Sequence, residues 1–149
     1  MLKAIFAGNR IGGDDAVAGH VYDALKGKIN GIEMLEVGVM GVDLISLVKE
    51  DDYLIVVDAV KAGSVGKVLL LKEEQLAGND SVMSQHDFGM EQTLKMLRAY
   101  MPKLPEIKIV GITIKEAKPL AKELSKEMKE KLPYVVKEVE NYLGFIYDM

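Results

Sequence analysis

The chain has 149 residues, 49% of them hydrophobic, a net charge of −4 at pH 7 and no cysteine. Such a chain is long enough for one domain, 1–149, with a full core. The lack of cysteine excludes disulfides, thiolate catalysis, iron–sulfur clusters and cysteine-based zinc sites. Basic residues are dispersed among acidic ones, which argues against nucleic-acid binding. No apolar run reaches the ~20 residues of a membrane span, and no signal-peptide pattern is present, so we expect a cytoplasmic protein without membrane insertion.

The segment 3–20 contains the first candidate site. Residues 3–7 predict an apolar strand, which is followed by a glycine-rich turn, by two adjacent aspartates, Asp14 and Asp15, and then by a helix. In a parallel α/β sheet, ligands bind outside the carboxyl ends of strands, and glycines let the connecting loop fold tightly. The two carboxylates therefore indicate a site at this turn. Alternatively, Asp14 caps the helix, and Asp15 only complements its dipole.

The next elements alternate between strand and helix. Apolar residues at a helical spacing predict a helix that ends at Gly27 and carries His20 on its flank. The alternating segment 31–37 predicts a strand, and 42–50 predicts a helix. Residues 53–57 are continuously apolar and β-branched, as in a central parallel strand that is buried on both faces.

Asp58 follows this central strand and is the second candidate site residue. The alternative interpretation is an aspartate that opens the turn around Gly63 and Gly66. Residues 65–71 predict another strand. The connection to it is too short for a parallel crossover, so we expect this strand to be antiparallel and at an edge of the sheet.

His86 is the third candidate site residue, because it directly precedes a predicted helix whose inner face carries Met90, Leu94, Leu97 and Met101. Alternatively, it is a surface loop residue after the polar loop 72–83. Residues 106–114 predict the last strand. The segment 116–132 is ambiguous, because Leu120 fits a helix there while Ser125 could cap a shorter one. Pro133 predicts a helix start.

These elements predict an α/β three-layer sandwich with a mostly parallel sheet of about five strands, one antiparallel edge strand, and helices on both faces. Asp15, Asp58 and His86 would then meet at the carboxyl edge of the sheet. Two carboxylates and one imidazole suit a divalent metal, and this mixed set selects no single one. Hydrolase motifs such as G-x-S-x-G and H-E-x-x-H are absent, and Arg10 interrupts a dinucleotide-binding fingerprint.

Three short motifs in this order resemble those of the nickel-iron hydrogenase maturation endopeptidase family. The matching residues are Gly8-Asn9 before Asp14-Asp15, Val57-Asp58-Ala59 before Gly63 and Gly66, and Ser84-Gln85-His86, with later echoes at Gly111-Ile112 and Leu124-Ser125. The chain departs from the family pattern at Ala16, Ala18 and Val65, and it has Asp15 where some relatives carry glutamate.

The resemblance implies an endopeptidase that removes the C-terminal extension of a hydrogenase large-subunit precursor after nickel insertion. Asp15, Asp58 and His86 would be both the catalytic and the metal-binding residues. Nickel would be supplied by the substrate, although other divalent metals are expected to occupy the site in vitro, and the chain is expected to be monomeric. Two alternatives remain open: a non-proteolytic assembly factor on the same fold, and a nucleotide-binding domain that uses Gly12-Gly13.

Overall fold

A single five-stranded sheet forms the centre of the molecule, with the strand order β2-β1-β3-β5-β4. The computed structural model describes residues 1–38, 43–76 and 88–149. The strands are β1 (Leu2–Ala7), β2 (Ile32–Val37), β3 (Tyr53–Lys61), β4 (Val68–Lys72) and β5 (Lys108–Ile114). The helices are α1 (Val17–Leu25), α2 (Asp43–Leu47), α3 (Phe88–Tyr100) and α4 (Lys126–Tyr147), with 3-10 turns at Gly13–Ala16 and Glu73–Leu76.

The predicted α/β class with a mostly parallel sheet is confirmed. β1 pairs in parallel with β2 and β3, and β3 pairs in parallel with β5. The edge strand β4 runs antiparallel to β5, as expected from the short connection after β3. It begins at Val68, later than the predicted 65, because residues 62–67 form the turn in which Gly63 and Gly66 have positive φ values.

Helices cover both faces of the sheet, because buried side chains alternate between the faces along each strand. One core joins Phe6 and Val57 to the apolar faces of α1 and α4. The other core joins Ile5 and Val56 to α2 and α3. Among the described residues, no helix is both long and apolar enough to cross a bilayer.

The C-terminal helix α4 confirms one of the two alternatives for the segment 116–132, a shorter helix capped by Ser125, and corrects the predicted helix start at Pro133. Residues 116–124 are not helical, and Leu120 is 81% exposed with a φ of 62°. Ser125 is the N-cap, and its Oγ accepts a hydrogen bond of 3.1 Å from the Met128 N–H. Pro133 therefore lies inside α4 rather than at its start. The helix tolerates this proline because its apolar face, which includes Val135, still packs on the sheet.

A buried ion pair joins Lys3 on β1 to Asp52, which directly precedes β3, at the amino ends of these two strands. Lys3 Nζ lies 2.8 Å from Asp52 Oδ2 and also donates a 2.8 Å hydrogen bond to the Leu47 carbonyl. Both side chains are less than 10% exposed. Burial raises the pKa of Asp52, but hydrogen bonds from Lys3 and the Lys49 amide, together with the charge of Lys3, outweigh it and leave that pKa below its usual value.

Replacing Asp52 by Asn is expected to destabilise the fold by about 3 kcal/mol, because Lys3 would remain buried without its counter-charge. This corresponds to a melting temperature lower by roughly 6–12 °C at pH 7. Since the folded-state pKa is lowered, the contribution is complete above the unfolded-state pKa of about 4 and disappears as the pH falls through the folded-state value. Thermal melts from pH 7 to pH 3 test this: the difference between the two proteins should shrink at low pH. The exposed variant Glu123→Gln serves as the control, and an equal effect there would contradict the prediction.

Candidate functional site

Asp15 lies in the 3-10 turn Gly13–Ala16, directly after the loop that follows β1. Its side chain is partly buried, and Oδ2 accepts a 3.2 Å hydrogen bond from the Asn9 N–H. The carboxylate is therefore turned back over the loop that leaves β1. Gly8 makes this arrangement possible, because a Cβ at that position would lie 2.3 Å from the Asp15 carbonyl oxygen.

Asp14 does not cap the helix that follows it, so this alternative is wrong. It is 7% exposed, and its two carboxylate oxygens bind Ser125: Oδ1 accepts from the backbone N–H at 2.7 Å and Oδ2 from the hydroxyl at 2.8 Å. Neither the 3-10 turn nor α1 has a side-chain cap. The two adjacent aspartates therefore have different partners on different sides of the turn.

Asp58 lies within β3 and not after it, which corrects the predicted strand end. β3 continues to Lys61 because Ala59 and Val60 are apolar and pair with β5, where Asp58 itself pairs with Gly111. The side chain is 5% exposed, and Oδ1 accepts a 2.8 Å hydrogen bond from the Ala59 N–H.

Asp15 and Asp58 both lie at the end of the sheet where the carboxyl end of β1 is found. The last pair between β1 and β3 joins Phe6 to Val57, so Asp58 is the first residue of β3 beyond that ladder. The 3-10 turn that carries Asp15 lies against β3. The two predicted carboxylates therefore come from neighbouring segments, the 3-10 turn and β3, near the residue at which β1 ends.

His86 lies outside the residues that the structure describes, as do the rest of the Ser84-Gln85-His86 motif and the predicted helix start at 42. Strand alternation places Asp58 on the same face as Val56 and Val60, and Met90 near the start of α3 packs in the core of that face. Within the described ranges, no three acidic or histidine side chains form a group that could hold a metal ion. The predicted convergence of the three residues remains a prediction.

Arg10 anchors the exposed side of the loop between β1 and the 3-10 turn. Its guanidinium forms ion pairs with Asp23 on α1 and with Glu36 on β2. These hydrogen bonds raise the pKa of Arg10, and its hydrogen bond holds the pKa of Asp23 below the usual value. A Cβ on Gly19 would come within 2.6 Å of the Arg10 Nε, so the side chain lies closely across α1. Sequence reasoning missed this role, although a charged residue inside a glycine-rich turn was a usable signal.

A cavity of about 760 Å³ opens beside the turn, between Gly13 and the segment 115–127. Its wall carries lysines and glutamates in similar number, so it has no strong charge of one sign. It is lined by Gly13, Asp14, Val65, Lys115, Glu116, Lys118, Ala121, Lys122, Glu123, Leu124, Ser125 and Glu127.

Comparison with known proteins gives consistent matches. A family model described as hydrogenase maturation protease matches residues 20–142, a range that includes Asp58 and His86 but not Asp15. Protein FrxA from Pyrococcus furiosus is 34% identical over 128 residues, which are 81% of this chain and 89% of that protein.

Solved structures of similar fold cover nearly the whole chain. The NiFe hydrogenase maturation protease HybD from Thermococcus kodakarensis superposes with a TM-score of 0.75 at 27% identity, covering 95% of this chain and 97% of that one. The hydrogenase maturating endopeptidase HybD from E. coli gives a TM-score of 0.73 at 23% identity, covering 95% and 91%. At that identity the second likeness supports the fold alone.

Proposed function

The chain belongs to the hydrogenase maturation protease family, and on this premise we propose that it removes the C-terminal extension of a nickel-iron hydrogenase large-subunit precursor after nickel insertion. The family and the similar structures are those of peptide-cleaving enzymes. Asp15, Asp58 and His86 are the residues that would bind the nickel carried by the precursor. The observation that carries this proposal is the placement of Asp15 and Asp58 at one edge of the sheet, where β1 ends and β3 continues.

The chemistry of these side chains suits recognition of a metal that the partner brings. Two carboxylates and one imidazole are suitable ligands for a divalent first-row metal, and they leave coordination positions for ligands from the precursor. A precursor without nickel lacks this anchor, so cleavage would be restricted to the loaded form. The site would thereby act as a check on nickel insertion.

The cleavage step is the hydrolysis of one peptide bond. Asp15, Asp58 and His86 would hold the nickel carried by the precursor, and this nickel would supply Lewis-acid polarisation of the scissile carbonyl or of a water molecule. The oxygen of water adds to the carbonyl carbon, the C–N bond breaks, and the leaving amine takes up a proton. A carboxylate of Asp15 or Asp58 can transfer that proton as a general base and acid.

The proposal is tested by incubating the purified chain with a hydrogenase large-subunit precursor, with and without nickel, and measuring the intact mass. The nickel-loaded precursor is expected to lose a C-terminal peptide, whereas the unloaded precursor keeps its mass. Equal cleavage of both forms would contradict nickel recognition. Binding of the loaded precursor without loss of mass would instead support the assembly factor.

A further inference from the structure

The buried carboxylate of Asp14 connects the turn at the proposed site to the N-terminus of α4. Asp14 and Ser125 are 111 positions apart, and two hydrogen bonds of 2.7 and 2.8 Å join them. The Ser125 hydroxyl donates its proton to Asp14 and accepts from the Met128 N–H at 3.1 Å. Hydrogen bonds to a charged acceptor are the stronger ones, and a negative charge is favoured at the N-terminus of a helix.

The backbone strengthens the same connection. Gly13 N–H donates to the Ala121 carbonyl at 2.9 Å, and the Lys118 N–H donates to the Gly12 carbonyl at 3.0 Å. A Cβ on Gly13 would approach the Lys118 Cβ to 3.0 Å, so the two segments are in close contact. The segment 118–125 therefore holds the turn in place through these backbone contacts.

The side chains of Asp14 and Asp15 differ in burial and in their hydrogen-bond partners. Asp14 is buried and turned towards α4, whereas Asp15 is only partly buried and turned towards Asn9. Because the two residues are consecutive in one short turn, a movement of Asp14 carries the Asp15 backbone with it. Shifts of about 1 Å in a positioned group can lower a reaction rate about 100-fold.

We propose that Asp14 is a positioning residue, which holds the carboxylate of Asp15 in place for the substrate's nickel by binding Ser125 at the N-cap of α4. This rests on the proposed function, in which Asp15 is a nickel ligand. Asp14 would position Asp15 rather than bind the metal, because it is 7% exposed and its carboxylate is turned towards Ser125. Ser125 thus acts on the site through Asp14.

The test uses the full chain with Asp14→Asn, Ser125→Ala and the double variant, at a temperature where circular dichroism shows each to be folded. We expect each single variant to bind Ni²⁺ about tenfold more weakly in calorimetry, since Asn replaces one of the two acceptor oxygens of Asp14 and Ala removes the donor hydroxyl of Ser125. The double variant should be no weaker than the singles, because both single changes remove the same bond, from the Ser125 hydroxyl to Asp14 Oδ2. Ser125→Thr, which keeps the hydroxyl, should bind Ni²⁺ like the wild type.

A stability control separates positioning from general weakening. Asp52→Asn lowers the melting temperature from the opposite end of the strands and is expected to leave Ni²⁺ binding unchanged. If Asp15→Asn weakens Ni²⁺ binding, wild-type binding by Asp14→Asn would overturn the proposal, as would equal weakening in Asp52→Asn or a hundredfold loss in the double variant.

Hydrogen exchange at the Asn9 amide makes the test independent of nickel. This N–H donates to Asp15 Oδ2, so it reports where that carboxylate lies. We expect Asp14→Asn to accelerate its exchange about tenfold and Asp52→Asn to leave it unchanged. If Asp15→Asn binds Ni²⁺ like the wild type, the proposed function fails while faster Asn9 exchange still supports positioning. Unchanged Asn9 exchange in Asp14→Asn would overturn positioning alone.

Discussion

Replacing Asp58 by Asn is expected to lower the rate of precursor processing by about 100-fold or more while the fold survives. A metal in this role contributes several kcal/mol of charge stabilisation to a reaction, and each 1.36 kcal/mol corresponds to about tenfold in rate. Asn at this position retains an oxygen that can accept the Ala59 N–H, so the backbone of β3 is expected to keep its conformation. The change therefore removes the negative charge while an acceptor for the Ala59 N–H is retained.

The measurement is the initial rate of mass loss from nickel-loaded precursor, with the melting temperature of each variant recorded beside it. Asp15→Asn and His86→Ala are expected to lose processing in the same way. Asp51→Asn is the matched control, because this aspartate is exposed and precedes β3 at the other end of the strand. A His86→Ala protein that cleaves nickel-loaded precursor at the normal rate would refute the three-residue assignment.

Gly8→Ala is expected to destabilise the chain by about 4 kcal/mol, or roughly 8–16 °C in melting temperature, and to reduce processing about 100-fold. The new Cβ would lie 2.3 Å from the Asp15 carbonyl oxygen, at a φ of +151° that side chains rarely adopt. The Asp15 backbone cannot retreat easily, because Asp14 is held by Ser125 on the other side of the turn. The clash would therefore displace the Asp15 carboxylate as well as strain the loop.

Gly27→Ala is the control for backbone strain alone. Gly27 has a φ of +76°, and nothing lies within 4 Å of the Cβ that would be added. It is expected to lose only about 1 kcal/mol through left-handed strain and to process the precursor normally. Thermal melts and processing rates of the two variants, measured together, check the prediction. Equal behaviour of the two alanine variants would show that the close approach to Asp15 has no effect.

Elements of the fold could be predicted from the sequence where a single local pattern, such as an apolar run or a short connection, determined the structure. The buried run 53–57 predicted the central strand, and the short connection after it predicted the antiparallel edge. The end of β3 was misplaced because Asp58 looked like a strand terminator. Pairing with β5 outweighs that local preference and extends the strand to Lys61.

The candidate site was only partly accessible from the sequence. Asp15 and Asp58 were singled out because each follows an apolar run that predicts a strand, and the resemblance supplied their order along the chain. The partner of Asp14 could not be identified, since a hydrogen bond to Ser125 depends on how α4 packs against α1 and the sheet. Local sequence favours Asp14 as a cap of the helix that follows it, whereas in the structure Asp14 binds the distant residue Ser125.

The bond between Asp14 and Ser125 also has a consequence for the order in which the chain folds. It closes a loop of more than a hundred residues, and such contacts form late because their ordering entropy must be overcome first. During synthesis, the turn with Asp15 emerges early but acquires its anchor only after the last strand and the beginning of the final helix have left the ribosome. A nascent or truncated chain that ends before Ser125 thus carries the acidic pair without the hydrogen bonds that hold its turn against α4.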